Sequence, residues 1–160
     1  MKKNMSIPVV LTVMFLTLPA PKAVRGETGR EPEGGEPRHR IEIFLGGTQT
    51  EGIVDLATGL SFEFRLSQRI GLGAFLEYAK KDADVWTFGV PLYIHPYRGV
   101  RLLLAAGLEH EGSENSFLVR AGVAYEIEIQ RWSITPEFNV DFVSGGHTAL
   151  VYGVSFGYAF

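Results

Sequence analysis

The chain has 160 residues, enough for one domain, and a formal net charge of −3 at pH 7. This balance offers no basic face, so we expect no nucleic-acid partner. The sequence contains no cysteine, which excludes disulfides, thiolate catalysis, thiolate metal sites and a lipid-modified N-terminal cysteine. Its 19 glycines and 12% aromatic residues indicate many turns and many interfacial rings, as in a barrel.

The beginning of the chain has the pattern of a secretory signal peptide. Lys2 and Lys3 provide a basic start, and residues 7–18 form a short apolar run. A membrane-spanning helix needs about 20 apolar residues, so an uncleaved anchor is the weaker alternative. We predict a signal peptide over residues 1–26, cleaved near Ala20 to Gly26. Residues 27–39 are rich in Pro, Gly and charge, which predicts a flexible lead-in.

From residue 40 to residue 160, apolar and polar side chains alternate with a period of two, and no stretch has a convincing helical period. The pattern gives about eight strands of roughly 7–13 residues, near the length that crosses a bilayer at a tilt. We therefore predict an all-β fold, an eight-stranded antiparallel up-and-down transmembrane β-barrel. Pro91 and Pro136 lie within strands, where we expect bulges or local gaps.

The connections between the predicted strands are of two kinds. Tight turns are predicted at 67–69, 96–99 and 130–131, and longer or more polar connections at 50–58, 80–84, 110–115 and 144–147. In outer-membrane barrels the short turns face the periplasm and the longer loops face outward. An even strand count would place both termini on the periplasmic side.

Alternation alone fits either a soluble lipocalin-like barrel, which hides its apolar face, or a membrane barrel, which turns that face to lipid. The polar face here is crowded with Gly, Ala and Ser, which suits a narrow interior better than a solvent-exposed surface. Aromatic residues also lie near the predicted strand ends, as in interfacial girdles. They are Trp132, Tyr158 and Phe160 at the periplasmic edge, and Tyr78, Trp86, Phe117 and Phe142 at the outer edge.

The ending from Tyr152 to Phe160, with alternating large and small residues and a final Phe, resembles the C-terminal strand of outer-membrane barrels. The region from residue 40 onward resembles the small OmpA-, OmpX- and porin-like barrels. The resemblance implies that Tyr158 and Phe160 belong to a signal read by the barrel-assembly machinery. It also implies location in the outer membrane of a Gram-negative bacterium, among membrane lipids and lipopolysaccharide. Phe44 faces inward, so its loss is expected to affect packing rather than recognition by that machinery.

The predicted interior is charged, with more acids than arginines. An eight-stranded barrel is only wide enough for its own side chains, so we expect these groups to form ion pairs. The alternative is a cation-selective leak or proton path through an acid-rich lumen. A two-residue turn at 130–131 would place Arg120 opposite Asp141. The predicted network consists of Glu63, Arg65, Glu77, Arg101, Arg120, Glu126, Glu137 and Asp141; Glu42, Glu109, Glu128 and Lys81 are further inward charges.

The sequence predicts no catalytic site, no metal site and no cofactor. His147 lies near Ser144 and Asp141, but Ala149 occupies the place where a His-x-Ser motif of the lipid A deacylase type would have serine. An equally weak candidate, in this case for a metal site, is the group of His110, Glu111 and Glu114. We predict an integral outer-membrane protein with a narrow or plugged lumen and an envelope-structural or minor permeability role. A lipid A-modifying barrel enzyme and a periplasmic ligand-binding barrel are the alternatives, and the sequence does not determine the oligomeric state.

Overall fold

A computed structural model describes residues 38–80 and 84–160. The predicted signal peptide and residues 27–37 of the predicted lead-in lie outside this part of the chain. The strands are β1 His39–Thr50, β2 Ile53–Arg65, β3 Ile70–Lys80, β4 Asp84–Tyr97, β5 Val100–Glu111, β6 Glu114–Tyr125, β7 Ile127–Ile129, β8 Trp132–Val143 and β9 Thr148–Ala159. Within the described residues, no helix is long and apolar enough to cross a membrane.

The strands form a closed antiparallel barrel in which each strand pairs with its neighbours in sequence and β9 pairs with β1. The short segment β7 continues β6, because Ala124 pairs with Glu137 and Ile127 pairs with Ile134 in one register along β8. The barrel therefore has eight strands, which confirms the predicted fold. β1 begins at His39, within the predicted lead-in, because His39 and Phe160 exchange backbone hydrogen bonds that close the barrel.

The strands are staggered as closure of a small barrel requires. A path of paired residues that leaves β1 at His39 and follows the register around the barrel returns to β1 at Gln49. Such a stagger goes with a strand tilt of about 40°. Twelve residues at about 3.3 Å each then span roughly 30 Å along the barrel axis, the thickness of the hydrocarbon core.

The two prolines that the sequence placed within strands, Pro91 and Pro136, coincide with gaps in the pairing, as predicted. Between β3 and β4, backbone pairing stops after Leu72 and resumes at Phe75, opposite the segment that contains Pro91. The register is the same on both sides of this gap. Between β8 and the β6–β7 strand, pairing is interrupted around Glu126, next to Pro136. Because proline has no N–H to donate, the ladder loses bonds at Pro91 and Pro136 without acquiring an extra residue. A third proline, Pro96 near the end of β4, lies instead at a register shift between Ile94 and Tyr97.

The predicted difference between short turns and longer connections is wrong for the connections that the structure describes. At the end that holds His39 and Phe160, hereafter the terminal end, the turns are 66–69, 98–99 and 130–131. At the opposite end they are 51–52, 112–113 and 144–147, with 81–83 outside the described residues. β1 and β2 continue pairing as far as Thr50 and Ile53, because Glu51 and Gly52 both take positive φ, 51° and 89°. Those values suit the type I′ turn that joins hairpin strands tightly.

The polarity of the barrel is inverted relative to a soluble protein. Inward side chains such as Arg101 and Arg120 are each 2% exposed, whereas outward Leu104 and Val90 are 53% and 57% exposed. The face assigned to each strand from alternation is confirmed, including inward Phe44 at 4%. A lipocalin-like barrel would have the reverse arrangement, with an apolar interior that receives the ligand.

Aromatic pairs lie on the outside at both ends of the barrel. Tyr78 and Trp86 pack at the opposite end with ring centroids 4.9 Å apart. Trp132 and Tyr158 pack at the terminal end, also at 4.9 Å, and Phe160 stacks beside Tyr158 at 6.4 Å. Outward aliphatic residues lie between these two aromatic groups. Transmembrane β-barrels have the same order along the axis: an aromatic girdle, an apolar band and a second aromatic girdle.

Candidate functional site

The lumen is blocked towards the opposite end by the Arg120 cluster, which consists of Arg120, Glu77, Asp141 and Phe75. Arg120 on β6 is paired in register with Asp141 on β8, and its guanidinium donates to both Asp141 carboxylate oxygens at 2.6 and 2.7 Å. It also donates to both oxygens of Glu77, from β3 across the lumen, at 2.5 and 2.7 Å. The guanidinium lies 4.5 Å from the centre of the Phe75 ring. Two carboxylates and one ring thus hold a single buried cation.

A second barrier, the Arg101 cluster, lies towards the terminal end. Arg101 on β5 donates to Glu42 at 2.7 Å and to Glu126 at 3.3 Å, and lies 5.1 Å from the centre of the Tyr93 ring. Arg40 also donates to Glu126. Because β1, β4, β5 and the β6–β7 strand all contribute, the cluster joins several walls of the barrel.

The Arg101 cluster continues towards the terminal end through Arg65 and His95. Arg65 donates to Glu126 at 3.1 Å and approaches Glu63 at 3.6 Å. His95 Nε2 lies 2.8 Å from a Glu63 carboxylate oxygen. The orientation of these groups depends on the small residues beside them, since a Cβ at Gly71 would lie against the Glu63 carboxyl group. Gly71 therefore leaves the space that the Glu63 carboxyl group occupies.

Between the two clusters the described lumen leaves little free volume. One small cavity there has a volume of about 20 Å³, and another, on the side of Arg120 that faces the opposite end, has a volume of about 10 Å³; each is about the size of one water molecule. Glu137 lies in this middle region and is held by hydrogen bonds from Ser155 and from Asn139, the latter at 3.3 Å. The interior of the barrel is therefore a packed polar core rather than a pore.

All eight residues of the predicted lumen network point inward, and the structure brings seven of them into ion pairs. The exception is Glu137, which has no arginine, lysine or histidine nitrogen within 4 Å among the described residues. The sequence prediction gave no role to Arg40 and His95, although both lie on inward positions of their strands. The strand period was the signal that could have found them.

The candidate catalytic residues are near one another along the chain but are not arranged as a nucleophile and its base. The Ser144 hydroxyl accepts a hydrogen bond from the Phe117 backbone N–H at 3.0 Å. His147 Nε2 instead lies 3.3 Å from Glu109. Asp141 is held by Arg120. Activation of a serine hydroxyl requires a hydrogen bond to a general base such as histidine. Within the described residues, Ser144 and His147 form no such hydrogen bond with each other.

Glu63, His95 and Glu126 place possible metal-ligating atoms within 4.8 Å of one another. The predicted set of His110, Glu111 and Glu114 is not such a group: His110 Nδ1 instead lies 2.8 Å from the Asn115 side-chain oxygen. The carboxylates of Glu63 and Glu126 are already held by arginines. A divalent cation at this position would meet the guanidinium groups directly, so charge opposes its binding.

Beyond the Arg101 cluster the lumen widens into a vestibule that opens at the terminal end. Its volume is about 810 Å³. Arg40 and Arg65 lie at its inner end, and Arg69 and Arg98 come from the turns at its rim. This cavity is by far the largest of those described in the barrel.

Solved structures with this architecture are small transmembrane β-barrels. A de novo designed transmembrane β-barrel superimposes with a TM-score of 0.55 at 13% identity, covering 76% of this chain and 97% of the design. Ail, the attachment invasion locus protein of Yersinia pestis, gives 0.54 at 15% identity, covering 78% and 99%. The N-terminal β-barrel domain of Pseudomonas aeruginosa OprF gives 0.52 at 15% identity, covering 77% and 100%.

These likenesses show a shared fold, and they confirm the predicted resemblance to small eight-stranded outer-membrane barrels at that level. No protein-family model and no curated protein matches the sequence. The fold and the closed, ion-paired lumen together define the class of protein: a small eight-stranded transmembrane-type β-barrel.

Proposed function

We propose that the protein is an integral outer-membrane barrel with a closed lumen, whose role is structural in the envelope. The observation that carries this proposal is the inverted polarity of the barrel. A continuous band of aliphatic side chains is exposed on the outside while arginines and carboxylates are buried inside. Only a lipid environment makes burial of that outer face favourable, because in water it would be a very large exposed apolar patch.

The lumen favours a structural role over a permeability role. The Arg120 and Arg101 clusters block it at two levels, and the cavities between the clusters and beside Arg120 admit single water molecules. The short connections also give the barrel little surface beyond the membrane on which a large partner could bind. We therefore propose that outer-membrane lipids, including lipopolysaccharide, are its principal surroundings.

The C-terminal strand supports a further part of this proposal. Outward Tyr152 and Phe156 in β9, and Phe160 directly after it, alternate with small inward residues, and β9 closes the barrel against β1. An open edge would leave backbone groups without partners in hydrocarbon. We propose that this strand is read by the barrel-assembly machinery, with the terminal end facing the periplasm.

A pair of outward substitutions tests the membrane environment directly. Leu104 lies near the middle of β5, and Val54 is the second residue of β2, near the opposite end; both side chains face outward and are exposed, at 53% and 55%. In a bilayer, Leu104→Arg should cost about 2–4 kcal/mol and Val54→Arg about 0–1 kcal/mol, because the penalty depends on depth. Stability would be measured by urea unfolding in vesicles, with gel mobility of unheated samples as the readout.

Cell fractionation completes the test. We expect the wild-type protein in outer membranes, resistant to carbonate extraction. Equal, small effects of both arginine substitutions together with recovery in the soluble periplasmic fraction would contradict the proposal.

A further inference from the structure

The vestibule at the terminal end has the features of a binding site for an anion, and this goes beyond the proposed structural role. It is a blind cavity of about 810 Å³, because the Arg101 cluster closes its inner end. Cavities of this volume hold small organic ligands. A ligand can enter it only from the terminal end.

The charge of the vestibule is positive. Four arginines line it, Arg40, Arg65, Arg69 and Arg98, against two carboxylates, Glu126 and Glu128. Arg40 and Arg65 are paired with those carboxylates. The rim arginines Arg69 and Arg98 are exposed and have no carboxylate within 4 Å among the described residues. The excess of two positive charges is therefore located where a ligand enters.

A buried donor at the inner end is left without a partner. Arg40 is 4% exposed, and its Nε forms no hydrogen bond within the described structure, although its two terminal nitrogens are bonded to Glu126 and Glu128. Arg40 Nε is itself enclosed, and Glu42 Oε1 and Glu63 Oε2 in the same region are buried acceptors that also lack a partner. An anion in the vestibule would therefore bind first through the exposed rim arginines.

We infer that the vestibule binds a phosphate ester. Guanidinium groups present paired donors that match phosphate oxygens. The cavity is much larger than one phosphate group, and Tyr97 and Tyr125 line its wall beside Arg98, which provides aromatic surface for an organic moiety. Such an ester can come from a soluble molecule or from a phospholipid headgroup at the membrane surface.

The test uses purified full-length protein in zwitterionic detergent at low salt. ATP serves as the soluble phosphate ester and adenosine as its uncharged control, with binding measured by calorimetry. Phosphatidylglycerol added to the micelles serves as the lipid competitor. We expect saturable binding of ATP and none of adenosine. Displacement of ATP by phosphatidylglycerol would assign the site to a lipid headgroup, and absence of displacement would assign it to a soluble ligand.

Matched rim variants separate the cavity from a general surface charge. The double variant Arg69→Gln/Arg98→Gln should weaken ATP binding at least about tenfold, since each charge-assisted bond is worth about that factor. Arg131→Gln is the control, because Arg131 lies in a turn of the same rim but does not line the cavity. Absence of saturable binding of either ligand, or equal loss in the control, would overturn the inference. Barrel formation in each variant is checked by the gel mobility of unheated samples.

Discussion

Replacing Arg120 with methionine should destabilise the barrel strongly. The guanidinium makes four hydrogen bonds to Glu77 and Asp141 at 2.5–2.7 Å, and all three side chains are largely buried. Arg120→Met removes the only cation within reach of these carboxylates in the described structure and leaves two anions close together. Breaking a buried ion pair by removing one partner costs about 3–5 kcal/mol. The adjacent cavity of about 10 Å³ has room for about one water molecule, so solvent compensates little.

The free energy of unfolding would be measured by urea titration in lipid vesicles, following tryptophan fluorescence and heat-modifiable gel mobility. Arg131→Met serves as the control, since Arg131 is exposed in a turn and its loss should change stability by less than about 0.5 kcal/mol. The triple variant Arg120→Met/Glu77→Gln/Asp141→Asn removes the charges together and should recover most of the loss. A loss below about 1 kcal/mol for Arg120→Met alone would refute the reasoning, because it would mean that water solvates the carboxylates.

Three further outcomes are expected. In planar bilayers the wild-type protein should show no stable large conductance, and Arg101→Ala should raise the frequency of small openings only slightly because the Arg120 cluster stays closed. Phe160→Ala should slow assembly into membranes, because Phe160 is 53% exposed at the barrel edge. Phe44→Ala should instead mainly lower stability, because Phe44 is 4% exposed in the lumen. Equal assembly yields of the two variants would argue against a terminal signal. Ser144→Ala and His147→Ala should leave the lipid A of the host unchanged by mass spectrometry, whereas loss of an acyl chain that depends on either residue would establish a deacylase.

The strand faces could be predicted because the side-chain period of a strand is fixed at two. Once β9 is placed with Phe156 outward and Ser155 inward, every residue of the strand follows, and a slip of one residue would bury the wrong face. The same rule identified the inward members of the ion network. Local register was also accessible in one place: the two-residue turn at 130–131 sets Arg120 opposite Asp141.

Other features depend on information that alternation does not contain. The contact of Arg120 with Glu77 crosses the lumen, so it follows from the stagger of the closed barrel rather than from neighbouring strands. The connection after β1 was predicted over residues 50–58, as one of the longer or more polar connections. Backbone pairing continues through most of these residues, since a tight turn at Glu51 and Gly52 needs only suitable φ values. The end of a clear alternation in the sequence therefore does not mark the end of the strand.

The position of the two arginine clusters in series decides what the barrel can do. If opening each cluster costs as much as removing one partner of a buried ion pair, about 3–5 kcal/mol, and each 1.4 kcal/mol is a factor of ten, both would be open together in roughly one molecule in ten thousand to one in ten million. Independent opening of either cluster leaves the other closed, because the Arg101 and Arg120 clusters share no ion-pair partner. Solutes entering the vestibule therefore meet a closed inner end and return the way they came. A barrel of this kind can bind a ligand at one mouth while keeping the two sides of the membrane separate.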